Sequence, residues 1–181
     1  MRRIYESGAL HRDDDDQFSP SERGSDRPQA MRWIDATALS RRLLPDTVRD
    51  RAVSIGVSTP RTEYASGEWI PFRVTMRNSM PFPITFRTAS PIPWTWSVDG
   101  VREASIASLR DPPAEPGEFK FGRGERKRFP KRWTQTFRVS KSEWERVGRG
   151  EYTIGAGLNV ANAFERGLYD EVTVRVVRGR E

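Results

Sequence analysis

Cysteine is absent from the 181 residues, and histidine occurs once, as His11. Without thiols the chain has no disulfide framework, no thiolate metal site and no cysteine nucleophile. With a single imidazole in a polar N-terminal stretch, most acid–base and metal chemistry loses its usual donor. Long apolar runs are missing as well. None approaches the roughly 18–20 residues of a membrane-spanning helix, so no membrane partner is expected. Lysine is scarce: Lys120, Lys127, Lys131 and Lys141 are the only four, and arginine supplies the rest of the 31 basic side chains.

What the sequence does contain is charge, 31% of residues against 35% hydrophobic, with a formal net charge of +6. The charge is concentrated. Between Lys120 and Arg132 stand Lys120, Arg123, Arg126, Lys127, Arg128, Lys131 and Arg132, opposed by Glu125 alone. That segment by itself accounts for the excess, and such a patch attracts nucleic acid or any acidic surface. A solvated strand-and-loop face is the plainer explanation of the same run.

The length fits one domain of ordinary size plus an appendage. Residues 1–31 hold the run Asp13-Asp14-Asp15-Asp16 and a Ser, Pro, Arg and Gly cluster, with few apolar side chains. Too little surface is available there to offset chain entropy, so a disordered polar and acidic head is expected. Arg2-Arg3 is not followed by the apolar stretch an export signal requires, which predicts a cytoplasmic protein. Residues 32–51 read as a short helix and connector: Asp35 caps Ala36 to Leu44, Leu39 and Leu43 share a face, and Pro45 ends the run.

From about residue 52 the period changes to two. Val53, Ile55 and Val57 alternate with polar or small residues, as do Ile70, Phe72, Val74 and Met76. The same holds for Ile84 and Phe86, for Ile92, Trp94, Trp96 and Val98, and for Trp133, Gln135, Phe137 and Val139. Tyr152 to Val160 and Val172 to Val176 complete the set. Asp99-Gly100 predicts a hairpin turn. Ser140 to Glu143 has capping-box spacing, which predicts one helical turn running on through Trp144 and Val147. These patterns predict an all-β protein: an antiparallel immunoglobulin-like β-sandwich of about seven strands over 52–178, with a tail at 179–181.

Gly150-Glu151-Tyr152-Thr153-Ile154 has the pattern of a tyrosine corner, in which the Tyr hydroxyl turns back onto upstream backbone while the ring enters the core. Gly67-Glu68-Trp69 followed by the alternating strand to Asn78 looks like the opening of many immunoglobulin-like domains. With Pro83 to Phe86, Trp94 to Ser97 and Trp133 ahead of Gly150, the stretch from Val53 to Val177 resembles the intracellular proteinase inhibitor family of the BsuPI type. It is similar also to small uncharacterised β-sandwich proteins of halophilic archaea. The resemblance implies an immunoglobulin-like fold and the binding or inhibition of a peptidase. No inhibitory-loop motif accompanies it, so no residue inherits that role.

Catalysis finds no convergent groups. A hydrolase would need His11 from the flexible head, and the carboxylate pairs Glu143/Glu145 and Glu115/Glu118 lie in polar surroundings with nothing to raise one pKa. No enzyme activity, cofactor or metal is therefore expected, and Asp13–Asp16 lacks the ligand spacing of a calcium loop. Trp94 and Trp96 read as core rather than as an exposed ledge. The expected function is recognition of another protein with an acidic surface. Arg123, Arg126, Lys127 and Arg128 would steer it, Phe119 or Phe121 would anchor it from the 110–124 loop, and Tyr152 and Trp133 would hold the frame. The alternative is single-stranded nucleic acid, because Phe119, Phe121, Phe129 and Trp133 interleave with the cations.

Overall fold

The computed structural model describes residues 45–107, 112–113 and 115–179. The expected head at 1–31, the helix at 36–44 and the last two residues of the tail lie outside them. Two sheets form the body. One holds β1 (Val53–Ser58), β3 (Ile70–Asn78) and β8 (Arg126–Trp133), in the order β1-β3-β8. The other holds β2 (Glu63–Ala65), β5 (Trp94–Val98), β6 (Val101–Arg102), β11 (Gly150–Leu158) and β12 (Tyr169–Val177), in the order β2-β12-β11-β5-β6. All pairs within these two sheets are antiparallel except β2 on β12. The chain changes sheet between β1 and β2 around Pro60, which cannot donate to a ladder.

Alternation produces this packing directly. Ile70, Phe72, Val74 and Met76 are all buried, and so are Ile154, Ala156 and Leu158 of β11 and Val174 and Val176 of β12. Aromatic rings join the sheets across the core. Phe72 meets Trp96 at 5.2 Å between centroids, Phe129 meets Trp94 at 4.7 Å, and Trp133 meets Tyr152 at 5.2 Å. Trp94 and Trp96 thus point between the sheets, half-buried at the rim. The protein is an all-β sandwich.

A ribbon extends the first sheet. β4 (Ile84–Thr88) pairs with β7 (Gly117–Phe121), and this ladder prolongs that of β3 on β8 beyond a double turn at 79–83 and 122–125. Asn78, fully buried, pins the joint. Its amide donates to the carbonyls of Phe82 and Gly122, both at 2.8 Å, while its oxygen accepts from the Met80 amide at 2.9 Å.

Several expectations are corrected here. The described residues contain twelve strands rather than about seven, because short partners such as β2 and β6 carry too few residues to show a period. The 110–124 segment is not all loop: Gly117–Phe121 is β7, with Phe119 and Phe121 alternating against Glu118 and Lys120. The single strand expected over 132–139 is two, β8 and β9 (Thr136–Arg138), because Gln135 adopts φ +56° between them. The capping-box turn at 140–143 is a hairpin. β9 returns as β10 (Trp144–Arg146), and the amide of Val139 donates to the carbonyl of Glu143 at 3.0 Å. Arg138 favours this by donating to the carbonyls of Ser140 and Lys141, which a helix would use internally. Finally, the stretch after Pro45, expected as connector, is helical: α1 (Asp46–Ala52) follows the proline, and the amides of Val48 and Arg49 donate to the Pro45 carbonyl.

Candidate functional site

Parity divides the basic segment between two sides of β8. Antiparallel partners share a face, and the register sets Arg77 opposite Arg126, Thr75 opposite Arg128, Arg73 opposite Pro130 and Pro71 opposite Arg132. All of these lie on the side away from the core. Ser54, Gly56 and Ser58 of β1 extend the same rows. The outer face of the β1-β3-β8 sheet therefore presents Arg73, Arg77, Arg126, Arg128 and Arg132, each exposed. Among the described residues, no carboxylate forms an ion pair with any of them. Arg132 instead lies 4.2 Å over the ring of Trp69.

The three lysines of the segment are otherwise engaged. Lys127 shares the inward parity. Its Nζ reaches Glu125 Oε1 at 2.8 Å and stands 5.5 Å from the rings of both Phe119 and Phe121. Glu125 also accepts from the Gly122 amide at 2.6 Å. The Lys127 contact first, and this backbone bond second, hold its carboxyl below the usual glutamate range. Together with Gly124 at φ +61° these bonds close the 122–125 turn, on which Arg123 is exposed. Lys120 approaches Glu118 at 3.4 Å, and Lys131 stands 5.7 Å from the Trp94 ring.

The expected anchors sit elsewhere. Phe121 is fully buried, edge-on to Phe86 at 6.2 Å, and cannot reach a partner. Phe119 is half-buried against Phe121 and Lys127. Trp133 is buried and donates its indole N–H to the Thr136 carbonyl at 3.0 Å. The Tyr152 hydroxyl donates to the carbonyl of Gly148 at 2.9 Å, the geometry of a tyrosine corner. Burial, followed by the charge of Asp99, pushes that phenol up. Of the six expected contact residues, Arg126 and Arg128 lie on the arginine face and Arg123 on the adjoining turn, while Lys127, Phe119 and Phe121 face inward.

The outer face also contains three residues the sequence reading missed: Arg73, Arg77 and Trp69. Their signal was present in the pattern. Trp69, Arg73 and Arg77 have the odd parity that β3 turns to water, and a tryptophan in that position is out of place for a simple solvated strand.

The model of the family of unknown function DUF7974 matches residues 41–177. The chain belongs to that family. No curated protein matches this DUF7974 member in sequence. Among solved structures, the CARDB domain of the PF1109 protein from Pyrococcus furiosus, in complex with di-metal ions, is similar at 14% identity and a TM-score of 0.45. That match covers 70% of this chain and 94% of the other. A β-glucosidase from Erythrobacter marinus is similar at 15% identity and a TM-score of 0.42, over 69% of this chain and 15% of its own. The alkylpurine DNA glycosylase AlkC of Pseudomonas fluorescens, bound to DNA containing an abasic site analogue, gives 13% identity and a TM-score of 0.41. There the shares are 70% and 30%. In the DUF7974 member itself, no group of three or more His, Asp or Glu side chains among the described residues is placed to hold a metal ion. No described helix is long and apolar enough to cross a membrane.

Proposed function

We propose that this DUF7974 member is a non-enzymatic recognition module that takes an acidic protein surface on the outer face of its β1-β3-β8 sheet. The observation that carries the reading is the cross-strand pair Arg77 and Arg126. Like charges directly opposite one another destabilise a sheet, and here they stand side by side without a carboxylate between them. Planar guanidinium groups suit carboxylates, which they bind two bonds at a time. The edge strand β8 carries Pro130 and a row of cations, a composition that discourages strand addition and so favours the sheet face over that edge. A role without catalysis is supported by where the perturbed ionisable groups lie. Glu68, Glu125, Tyr152 and Arg175 are each engaged in a separate local contact rather than gathered in one cleft.

Nucleic acid is the weaker reading, because Phe121 and Trp133 are buried and Phe119 and Phe129 pack against the core, so the rings interleaved with the cations do not form an exposed row for bases to stack on. Peptidase inhibition, which the BsuPI-type resemblance implies, is one form that recognition of a protein takes. It would register as stoichiometric loss of activity in a serine-protease panel.

Fluorescence anisotropy of the full chain with a labelled Glu/Asp peptide and with labelled oligothymidylate tests the proposal. The peptide is expected to bind at low salt. The triple variant Arg73→Glu, Arg77→Glu, Arg128→Glu should weaken it by about ten-fold or more. A control with the same net charge, Arg102→Glu, Arg149→Glu, Arg178→Glu, should retain most of the binding. Equal losses in both variants, or tighter binding of oligothymidylate than of the peptide, would overturn the reading.

A further inference from the structure

The arginine face ends at Trp69, a residue that water-facing parity does not explain. The residue is 56% exposed, although aromatic side chains gain much from covering their rings. The ring is also held in place. Arg132 stacks on it at 4.2 Å, and Arg132 is itself fixed opposite Pro71. Behind the ring, the turn Ala65–Glu68 is locked from three directions. Gly67 adopts φ +83°, its amide donates to Gln135 Oε1 at 2.8 Å, and Gln135 Nε2 donates to the Ala65 carbonyl at 2.8 Å. Glu68 accepts from the Ala65 amide at 3.1 Å and pairs with Arg61. Trp69 is thus presented on a rigid base, which lowers the ordering cost of any contact it makes.

Two hollows flank the ring. One, of about 520 Å3, is lined by Arg61, Gly67, Glu68, Pro71 and Arg132 besides Trp69. The other, of about 240 Å3, lies towards Thr134, Gln135 and Arg146. The one carboxylate lining them, Glu68, is already engaged by the Ala65 amide and Arg61, which hold its carboxyl below the usual range. The free charge around the ring is therefore positive, carried by Arg132 and Arg146.

We infer that Trp69 is the apolar anchor of the arginine face, and that the partner is an acidic protein segment carrying an aromatic or aliphatic side chain among its carboxylates. That side chain packs into a hollow beside Trp69 while the carboxylates pair with Arg132 and the arginines beyond it. A buried tryptophan with a neighbouring arginine is the usual composition of an energetic centre in a protein interface. The inference rests on the arginine face being the contact surface.

Two labelled peptides of equal charge separate the two ideas: one of Glu and Asp only, the other with one central Phe. On the full-length chain the Phe peptide is expected to bind about ten-fold more tightly. Trp69→Ala should erase that gain, so that the two peptides bind the variant equally, and Trp69→Phe should keep most of it. Thermal unfolding of both variants checks that the exposed substitution leaves the fold intact. Equal affinities on the natural chain, or a gain that survives Trp69→Ala, would overturn the anchor alone. Failure of both peptides to bind would overturn the face and the anchor together.

Discussion

Three polar side chains do structural work that their sequence neighbours do not announce. Asn78 uses both of its amide hydrogens and its oxygen inside the ribbon joint, so the chain can kink there without orphaning backbone groups. Gln135, 2% exposed, reads by alternation as one more strand residue, yet its left-handed backbone turns the strand and its amide clamps the Gly67 turn. Tyr152 is the one of the three that was legible, because its place after Gly150 has a known geometric use. Its bond to Gly148 needs the phenol proton. The folded state holds that proton more tightly than the unfolded chain. Its contribution is therefore complete below the ordinary phenol value of about 10 and is lost as pH rises through the raised one. Tyr152→Phe should cost about 1 kcal/mol near neutrality in urea unfolding. It should also flatten the alkaline fall in stability expected of the parent. An unchanged alkaline limb would place that titration on another group.

At the scale of elements, alternation marked the long strands and missed what joins them. β3 and β11 were readable because nine residues each show the period clearly. β7 was missed because five residues beside a Gly-rich turn do not. The capping-box spacing at 140–143 suggested a helix, but the carbonyls that a first turn would need are taken by Arg138. Helix α1 is tied down from far along the chain. Arg166 Nε and Nη2 donate to the two oxygens of Asp50 at 2.9 and 2.7 Å, a pair 116 residues apart that no local pattern reveals. The outer side of the second sheet has its own constraint at β11. A Cβ on Gly157 would come within 2.8 Å of the Leu168 carbonyl oxygen, which is backbone and cannot move aside. At Gly155 the obstacle is the far end of the Tyr169 side chain, which can swing away. Gly157→Ala should therefore destabilise by roughly 2–3 kcal/mol and Gly155→Ala by less, as overpacking at a close contact does. Urea midpoints in the reverse order would show that Tyr169 is the stiffer neighbour.

For the molecule as a whole, the arginine face sets stability against recognition. Bringing Arg77 and Arg126 into register costs a few tenths of a kcal/mol to about 1 kcal/mol relative to an opposite-charge pair. Arg126→Glu should accordingly raise the melting temperature slightly while weakening the acidic peptide. Destabilisation by this change would mean the two guanidinium groups are not in repulsion. The sequence by itself determined that the chain is all-β, which side of each long strand meets hydrocarbon, and where the positive charge is densest, because all three follow from local composition and a period of two. Only the tertiary structure decided that the dense segment is divided, with Arg126, Arg128 and Arg132 turned out and its three lysines engaged elsewhere. It also decided that Arg73 and Arg77, some fifty residues earlier, complete the outward half beside Trp69. The physical reason is that strand register is fixed by pairing between distant segments, and a shift of one residue would exchange the two sides.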